Sequence, residues 1–209
     1  MGVSSEGILS RKYHILLQLN VVFSPINQTV SHLKMKIEII KTTLKEIEVV
    51  HRYMNEIFAL ELIGLSIRPK GITLEETKKY LPEQSNSKEK LCALAFVRNK
   101  VVGQIAFSRY EKFEYRHGGS FGMSVVPEFW RRGVGTQLIT YLEEWIILNG
   151  LLKIDLNVWS NNLTAIKMYE KLGYIHEGCR KSSIIRNGKE IDLILMGKLL
   201  QNYGDNLYE

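Results

Sequence analysis

The chain has 209 residues, 45% of them hydrophobic, and its 28 basic and 22 acidic residues give a formal net charge of +6. This length favours one domain with one sizeable core over two full domains. The positive charge suits an anionic ligand, but Lys and Arg are spread along the chain, so we predict no nucleic-acid partner. The two cysteines, Cys92 and Cys179, are far apart. They argue against a disulfide framework or a cysteine zinc site and favour the reducing cytoplasm, with both thiols in the core.

The beginning of the chain differs in character from the rest. Polar residues interrupt its apolar run at 11–23, no small-residue cleavage site follows, and the run is too short to span a bilayer. Glu6 stands where a myristoylation signal requires Ser or Thr. We therefore predict neither a signal peptide nor a membrane partner. Residues 1–34 are interpreted as an N-terminal extension, 35–200 as the folded domain and 201–209 as a C-terminal tail.

Hydrophobic periodicity and turn residues divide the rest of the chain into strands and helices. The first half begins with a strand at 36–42, a helix from Leu44 to about Leu65, and a short helix from Leu74 to Leu81 with a capping box of Thr73 and Glu76. Two strands joined at 98–100 and a strand at 118–126, ended by Pro127, follow. The second half consists of a helix from Gly133 to Gly150, a strand at 153–159, a helix at 160–173, and strands at about Tyr174–Ile185 and Glu190–Leu199 joined at Asn187-Gly188. This order predicts an α/β fold in which helices pack on a mixed sheet.

The segment PEFWRRGVGTQL, residues 127–138, places two arginines and two glycines directly before a predicted helix. The first turn of a helix has N–H groups without partners and a partial positive charge, so an anion that approaches it is stabilised. Gly133 and Gly135 lack the Cβ atoms that would block this approach, and Arg131 and Arg132 can pair with phosphate oxygens. The alternative is that the glycines only form the turn and the arginines lie in water.

Two other phosphate-binding motifs do not fit this turn. A dinucleotide fingerprint requires a third Gly or Ala where the chain has Leu138, and an acidic residue after the next strand, where it has Trp159. The Gly-Lys-Ser/Thr of a P-loop is missing from the turn. The sequence therefore predicts a phosphate site of a different kind.

Three segments resemble, in the right order, the motifs of the GNAT family of N-acetyltransferases. MSVVPEFWRRGVGTQL is similar to the family's strand-to-helix element, and the signature (Arg or Gln, two residues of any kind, Gly, any residue, Gly or Ala) falls on Trp130–Gly135. VWSNNLTAIKMYEKLGY resembles the second motif, matched at Asn162, Ala165 and Tyr169–Gly173, and NGKEIDLILM is similar to the closing strand. The first signature position holds Trp130 in place of Arg or Gln, as in branches that act on ribosomal-protein termini, polyamines and amino acids.

The resemblance extends over about Met35 to Leu200 and implies a fold and a cofactor. The implied fold is a central, mostly antiparallel, twisted sheet of about six to seven strands flanked by about four helices. The implied co-substrate is acetyl-CoA, with no metal. Its implied binding residues are Ser124, Val125, Arg131, Arg132, Gly133, Val134, Gly135, Thr136 and Asn162.

The chemistry of amine acetylation sets two requirements of the site. An alkylammonium with a pKa of about 10.4 must lose a proton before it can attack, and the departing thiolate must gain one. Asn162 and Tyr169 are two helical turns apart, which would place both on one face of a helix. By the resemblance, Tyr169 is the acid and Asn162 contacts the cofactor. The alternative is that Tyr169 is a core aromatic residue.

The sequence leaves the proton acceptor open. Many relatives have a carboxylate where this chain has Ser120, which cannot act as a base. Glu111, Glu114 and His117 lie just upstream, and His117 has the most suitable unperturbed pKa, although a surface histidine without a role is the alternative. A water relay to a backbone carbonyl would need no side chain.

Two functions follow as hypotheses. The first is an acetyl-CoA-dependent N-acetyltransferase that acts, by direct attack, on a small amine, an amino acid or a protein N-terminus. Its amine pocket is expected at 51–65, where Glu56 and Glu61 could pair with a cation. The alternative is a non-catalytic acyl-CoA-binding sensor or interaction module, which Ser120 favours. A homodimer stays open as the assembly.

Overall fold

The computed structural model describes residues 35–66, 68–83 and 86–200. The predicted extension at 1–34 and tail at 201–209 fall outside these residues. The described residues belong to one compact unit, which begins at Met35.

Seven strands in this part of the chain form a single sheet. They are β1 (Glu38–Thr42), β2 (Lys90–Val97), β3 (Lys100–Arg109), β4 (Gly118–Val125), β5 (Lys153–Trp159), β6 (Ile175–Arg186) and β7 (Lys189–Leu199). Their order across the sheet is β1-β2-β3-β4-β5-β7-β6, and all neighbours are antiparallel except β4 and β5. The predicted fold class and the mostly antiparallel sheet are confirmed.

Four α-helices within the described ranges flank the sheet, as predicted. They are α1 (Ile47–Ala59), α2 (Leu74–Lys78), α3 (Val134–Leu148) and α4 (Leu163–Lys171). Ser124 of β4 contacts Tyr53 of α1, whereas Phe121 of β4 contacts Tyr169 of α4. Because successive side chains of a strand point to opposite faces, α1 and α4 cover opposite faces of the sheet.

Helix α1 is shorter than the sequence predicted. It ends at Ala59 and not near Leu65. Beyond its end, Glu61 has a φ of 47° and Gly64 a φ of 89°, both in the left-handed region, where a right-handed helix cannot continue. The apolar spacing persists into this segment because its side chains still pack on the core, as Leu62 and Leu65 do.

The local signals for the other elements are confirmed with small changes of bounds. Helix α2 has the predicted capping box, in which Thr73 and Glu76 each accept a hydrogen bond from the other's backbone N–H, and it ends at Lys78. Both hairpin turns have two residues with positive φ: Arg98 and Asn99 in one, 187–188 in the other. Paired left-handed residues are the signature of the type I′ turn that matches strand twist.

The core lies on both faces of the central strands. Leu94, Ile105 and Ile154 of the sheet and Leu142 of α3 are almost completely buried. Cys92 is buried among them, but Cys179 is exposed on β6. The prediction that both thiols lie in the core was therefore wrong for Cys179, because β6 is an edge strand whose side chains are nearly all exposed.

The β4–β5 pair opens into a wedge. The two strands are paired in parallel only at 118–120 with 153–155, and the last partners are Ser120 and Asp155. Beyond them β4 stays paired with β3, and β5 stays paired with β7, but β4 and β5 no longer pair with each other. We call this gap the β4–β5 wedge; its vertex is Ser120 and Asp155, and its wide end lies between Val125 and Trp159.

The described residues contain neither a membrane-spanning helix nor a cluster of metal ligands. In the stretches 35–66, 68–83 and 86–200, no helix is long and apolar enough to cross a membrane. The same residues contain no group of three or more His, Cys, Asp or Glu side chains that could hold a metal ion.

Deletion of residues 1–34 is expected to leave the fold intact, because the described strands and core lie between Met35 and Leu200. Tm should stay within about 3 °C of that of the full chain, roughly the shift that 1 kcal/mol produces at this size. As a control, Leu94→Ala should lower Tm further, because truncating a buried Leu costs about 2–5 kcal/mol. Insoluble protein after the deletion would contradict the prediction.

Candidate active site

The glycine turn lies at the wide end of the β4–β5 wedge, between β4 and α3. Gly133 is the N-cap of α3 and has a φ of 84°. No side chain caps the helix, so its first-turn N–H groups are left to an incoming ligand. A Cβ on Gly133 would point into open space. This arrangement can hold an anion on the N–H groups of Val134, Gly135 and Thr136, which the sequence assigned to the cofactor.

Gly135 is required for a different reason from the one predicted. A Cβ at this position would lie 3.1 Å from the Met168 sulfur and 3.3 Å from the Met123 Cε atom. Gly135 therefore allows α3 to pack closely against α4 and β4, and it does not merely clear a path for the anion. The open approach predicted for both glycines holds at Gly133.

The two arginines of the turn are both exposed. Arg131 has a φ of 57°, which is uncommon for a residue with a side chain. The guanidinium of Arg132 lies 5.5 Å from the centre of the Phe129 ring, in the range of a cation–π contact. Both cations lie beside the N-terminus of α3, where they would add to the attraction for an anion.

Trp130 has a structural role that its place in the signature did not reveal. Its indole N–H donates a hydrogen bond of 2.6 Å to the carbonyl of Val125, the last residue of β4, while 48% of the residue stays exposed. The bond ties the turn to the end of the strand. Val125, predicted to contact the cofactor, thus has its carbonyl already engaged.

Ser124, another residue predicted to bind the cofactor, is held by Tyr53 from α1. The Tyr53 hydroxyl donates to the Ser124 carbonyl at 3.1 Å and lies 3.1 Å from Ser124 Oγ. Tyr53 is only 2% exposed, and this burial raises the pKa of its phenol. The neutral Tyr53 phenol thus holds Ser124 of β4 in place beside the wedge. The sequence did not identify Tyr53, because an apolar helix face does not show which of its side chains bonds to a neighbouring strand.

Tyr169 lies in α4, in a cluster of three aromatic rings. Its ring centre is 6.0 Å from that of Phe121 and 5.7 Å from that of Tyr174, both edge to face. Phe121 directly follows the wedge vertex on β4, so Tyr169 packs against the strand where the wedge begins. Burial raises the pKa of the Tyr169 phenol above its ordinary value of 10. The position is compatible with both predicted roles, acid and core aromatic.

Asn162 lies at the N-terminus of the helix that contains Tyr169. It is the N-cap of α4, with a φ of −89° and a ψ of 62°, and its side-chain oxygen accepts a hydrogen bond of 3.3 Å from the Ala165 N–H. The shared face with Tyr169 and the contact of Asn162 with the cofactor stay predictions. The Asn162 amide nitrogen lies beside Gly64, in the loop after α1.

The three candidates for the base and Ser120, which replaces the usual carboxylate, lie in different places. Glu111 and Glu114 are exposed between β3 and β4. His117 directly precedes β4, where its backbone carbonyl accepts a hydrogen bond of 2.7 Å from the Leu152 N–H. Ser120 is at the wedge vertex.

A carboxylate that the sequence did not identify is paired with Ser120. Asp155 is the partner of Ser120 across the two strands, and its Oδ2 accepts a hydrogen bond of 2.9 Å from the Tyr110 hydroxyl. Its Oδ1 lies 3.0 Å from Lys153 Nζ. No local motif could have found this group, because its relation to Ser120 depends on strand pairing.

The segment 51–65, where the sequence predicts the amine pocket, comprises the second half of α1 and the loop that follows it. Glu56 is exposed on α1, whereas Glu61 Oε2 lies 3.8 Å from Arg186. Arg186 also donates to the carbonyls of Glu61 and Leu65, at 2.8 and 2.9 Å, and its guanidinium lies 5.6 Å from the centre of a Trp159 ring. Glu61 is therefore already near a cation, and the loop is bound to the β6–β7 hairpin at the wide end of the wedge.

The sequence and the fold both match known proteins. Residues 59–174, more than half of the chain, match the Acetyltransferase (GNAT) family. The chain is 28% identical over 110 residues to the L-amino acid N-acetyltransferase AaaT of Escherichia coli (strain K12). That alignment covers 51% of this chain and 66% of AaaT, so the chain spans just under two thirds of the relative's length.

Two solved structures extend the match to about four fifths of the chain. The acetyltransferase of GNAT family from Streptococcus pneumoniae has a TM-score of 0.72 and 28% identity, over 78% of this chain and 99% of that chain. The fold of yncA from Salmonella typhimurium, solved with its cofactor acetyl-CoA, has a TM-score of 0.69 at 16% identity, over 80% and 96% of the two chains. The matched residues, the seven-stranded sheet and the turn before α3 lead to one conclusion: the chain belongs to the acetyltransferase (GNAT) family, the family of acetyl-CoA-dependent N-acetyltransferases.

Proposed function

We propose that this chain transfers the acetyl group of acetyl-CoA to the primary amine of a small molecule, with an L-amino acid as the preferred class of acceptor. The observation that carries the proposal is the β4–β5 wedge, which opens onto the uncapped N-terminus of α3. Family membership and the acetyl-CoA bound to a relative of the same fold support the cofactor. The name of AaaT supports the acceptor.

The cofactor would lie along the wedge. Its pyrophosphate fits the N–H groups at the start of α3, where Gly133 leaves open space and Arg131 and Arg132 supply positive charge. The pantetheine arm would then run between β4 and β5, whose facing backbone groups do not pair with each other beyond Ser120 and Asp155. The thioester would thereby be directed into the wedge.

The reaction requires one proton to leave the amine and one to reach the thiolate. The neutral amine attacks the thioester carbonyl carbon, the C–N bond forms, and the C–S bond of the tetrahedral intermediate breaks. We assign Tyr169 as the donor to the thiolate, since a phenol carries its proton at neutral pH and the resemblance to the family gives this residue the acid role. Its packing at the start of the wedge, against Phe121, supports this role.

The acceptor would enter through the loop after α1 and the β6–β7 hairpin. Arg186 and Trp159 are at this end of the sheet, and the side chain of Arg186 is 15% exposed. A guanidinium at the entrance suits an acceptor that carries a carboxylate, as an amino acid does. The cytoplasm is proposed as the compartment, because an exposed thiol such as that of Cys179 persists unpaired in a reducing environment.

A direct test of the activity is the release of free CoA from acetyl-CoA in the presence of an amine panel. The panel contains L-amino acids, spermidine and a peptide with an N-terminal alanine. Release that depends on an L-amino acid would support the proposal. Cofactor binding without release for any amine would instead favour the acyl-CoA sensor.

Gly133→Val is expected to abolish stabilisation by the cofactor. Acetyl-CoA at a hundredfold excess over its Kd should stabilise the parent by about 2.7 kcal/mol, and at about 2–4 °C per kcal/mol its Tm should rise by several degrees. NAD should cause no shift. The valine adds a side chain to a left-handed residue at the phosphate site, so the shift should disappear.

Gly150→Val is the matched control for this variant. Gly150 follows the other end of α3, has a φ of 67° and also has open space at its Cβ position. It should incur similar backbone strain but keep the acetyl-CoA shift. Equal loss of the shift in both variants, or a parent shift with NAD equal to that with acetyl-CoA, would rule out the assigned phosphate site.

Tyr169→Phe is expected to lower kcat by about 10²- to 10⁴-fold, the range of general-acid catalysis, with little change in acetyl-CoA affinity. Phenylalanine keeps the ring contacts and removes the donor. Tyr174→Phe is the control, since Tyr174 belongs to the same aromatic cluster and is also buried. This control should keep kcat within about threefold of the parent, below the general-acid range. Similar kcat values for both variants would show that Tyr169 only packs.

A further inference from the structure

We propose that Asp155 accepts the proton that the amine loses, through a hydrogen-bonded chain of the Ser120 and Tyr110 hydroxyls. The inference rests on the proposed acetyltransferase function and assigns a base to the same site. Its basis is the juxtaposition of three side chains from three strands or their ends at the wedge vertex: Tyr110 after β3, Ser120 on β4 and Asp155 on β5.

Asp155 lies at the closed end of the wedge. Ser120 and Asp155 are the last partners before β4 and β5 separate, so both border the gap in which the thioester would lie. Partners on adjacent strands are about 4.8 Å apart and point to the same face. Ser124, four residues further along β4, points to this face as well and contacts Tyr53 of α1. The carboxylate is thus on the α1 face, the face of the acceptor loop.

Tyr110 connects the wedge vertex to the carboxylate. The Tyr110 hydroxyl donates to Asp155 Oδ2 at 2.9 Å. Burial and this carboxylate raise the pKa of Tyr110 to about 12, whereas the nearby Ser120 side chain acts in the opposite sense. The proposed chain runs from Ser120, the vertex residue of β4, to Tyr110 and then to Asp155.

Asp155 faces one cation, which it shares with a second carboxylate. Lys153 of β5 lies 3.0 Å from Asp155 Oδ1 and 3.0 Å from Glu177 Oε2 of β6. These two carboxylates raise the pKa of Lys153 despite its burial, so it stays a cation. On β7, the residue paired with Asp155 is Gly197, which carries no charge. Lys153 binds Oδ1 of Asp155, which leaves Oδ2 as the oxygen that faces Tyr110.

The proton transfers balance along this chain. The ammonium gives a proton to Ser120 Oγ, the Ser120 hydroxyl proton passes to the Tyr110 oxygen, and the Tyr110 proton passes to Asp155 Oδ2. The products are a neutral amine and a neutral carboxyl, with both hydroxyls restored. The amine then attacks the thioester and the thiolate takes its proton from Tyr169. After the amide product leaves, Asp155 loses its proton to water and Tyr169 regains one.

The other candidates fit the task less well. Glu111 and Glu114 are exposed between β3 and β4, outside the pairing that defines the vertex. His117 precedes β4 on the closed side of the vertex, next to the start of β5. Asp155 is the carboxylate that is both paired with the vertex residue of β4 and hydrogen-bonded to Tyr110 at the end of β3.

The test uses the full-length chain, acetyl-CoA and the most active amine of the panel. Asp155→Asn keeps an oxygen that can accept from Tyr110 but cannot take up a proton, so kcat/KM at pH 7 should fall by about 10²- to 10⁴-fold. The loss should shrink as the pH approaches the amine pKa, about 10, where the amine is already deprotonated. KM for acetyl-CoA should not change. A purely structural role would reduce activity equally at every pH.

Two further variants test the relay itself. Tyr110→Phe removes the middle of the chain and should cause a similar, pH-dependent loss of kcat/KM. The double variant with Asp155→Asn should lose little more kcat/KM than either single variant.

Glu177→Gln is the control, because it removes the other carboxylate on Lys153 and leaves the chain intact. Its kcat/KM should stay within about threefold of the parent, below the general-base range.

A rescue variant makes the test independent of stability. Ser120→Glu in the Asp155→Asn background moves a carboxylate one strand across at the vertex and should recover at least about tenfold of the activity. If Asp155→Asn does not fold, the pH-dependent loss of kcat/KM in Tyr110→Phe tests the proposal in its place. The proposal is overturned if these variants stay within about threefold of the parent, or if their losses do not change with pH. A parent that releases no CoA with any amine refutes the proposed function instead.

Discussion

The separation of β4 from β5 is the constraint on which the rest of the site depends. A parallel pair that ends after three residue pairs leaves two strands with facing backbone groups that no longer pair, and this is tolerable only if something else holds each strand in place. The outer partners do so: β3 stays paired with β4 to Val125, and β7 stays paired with β5 to Trp159. The gap is therefore a rigid feature of the sheet.

The side chains around the gap reinforce its two walls separately. On β4, the Tyr53 hydroxyl holds Ser124 and the Trp130 indole holds the Val125 carbonyl. At the closed end, Tyr110 bridges the end of β3 to Asp155 of β5. These bonds come from a helix, a turn and a neighbouring strand end, so the wedge is preorganised by the fold and does not depend on a single loop. The site can thus present open backbone without losing its shape.

The sequence predicted the elements well because their signals are local. The capping box at Thr73 and Glu76, the turn at Asn187-Gly188 and the apolar periodicity of α3 each act within a few residues. The errors arose where a pattern had more than one physical cause. Apolar residues after Ala59 pack on the core without being helical, and the buried surroundings predicted for Cys179 are replaced by an exposed edge strand.

The candidate site was predictable only in part, for the same reason. The glycine turn and Tyr169 lie in contiguous motifs, but Asp155 acquires its meaning from Ser120, to which it is joined only by the pairing of β4 and β5. Tyr53 likewise depends on a contact with β4, 71 residues away in the chain. Contacts of this kind join residues that are far apart in the chain, so local patterns of residue type and spacing do not predict them.

The hydrogen bonds from Arg186 to the loop after α1 limit which sequence changes the entrance to the site can accept. The guanidinium binds two main-chain carbonyls, those of Glu61 and Leu65, so these bonds depend on the path of the loop. The exposed side chains of the loop can therefore change while its length cannot, since one inserted residue between these carbonyls would break the pair of bonds. Surface loops usually tolerate insertions. Here, variation in acceptor preference should proceed by substitution within a loop of constant length.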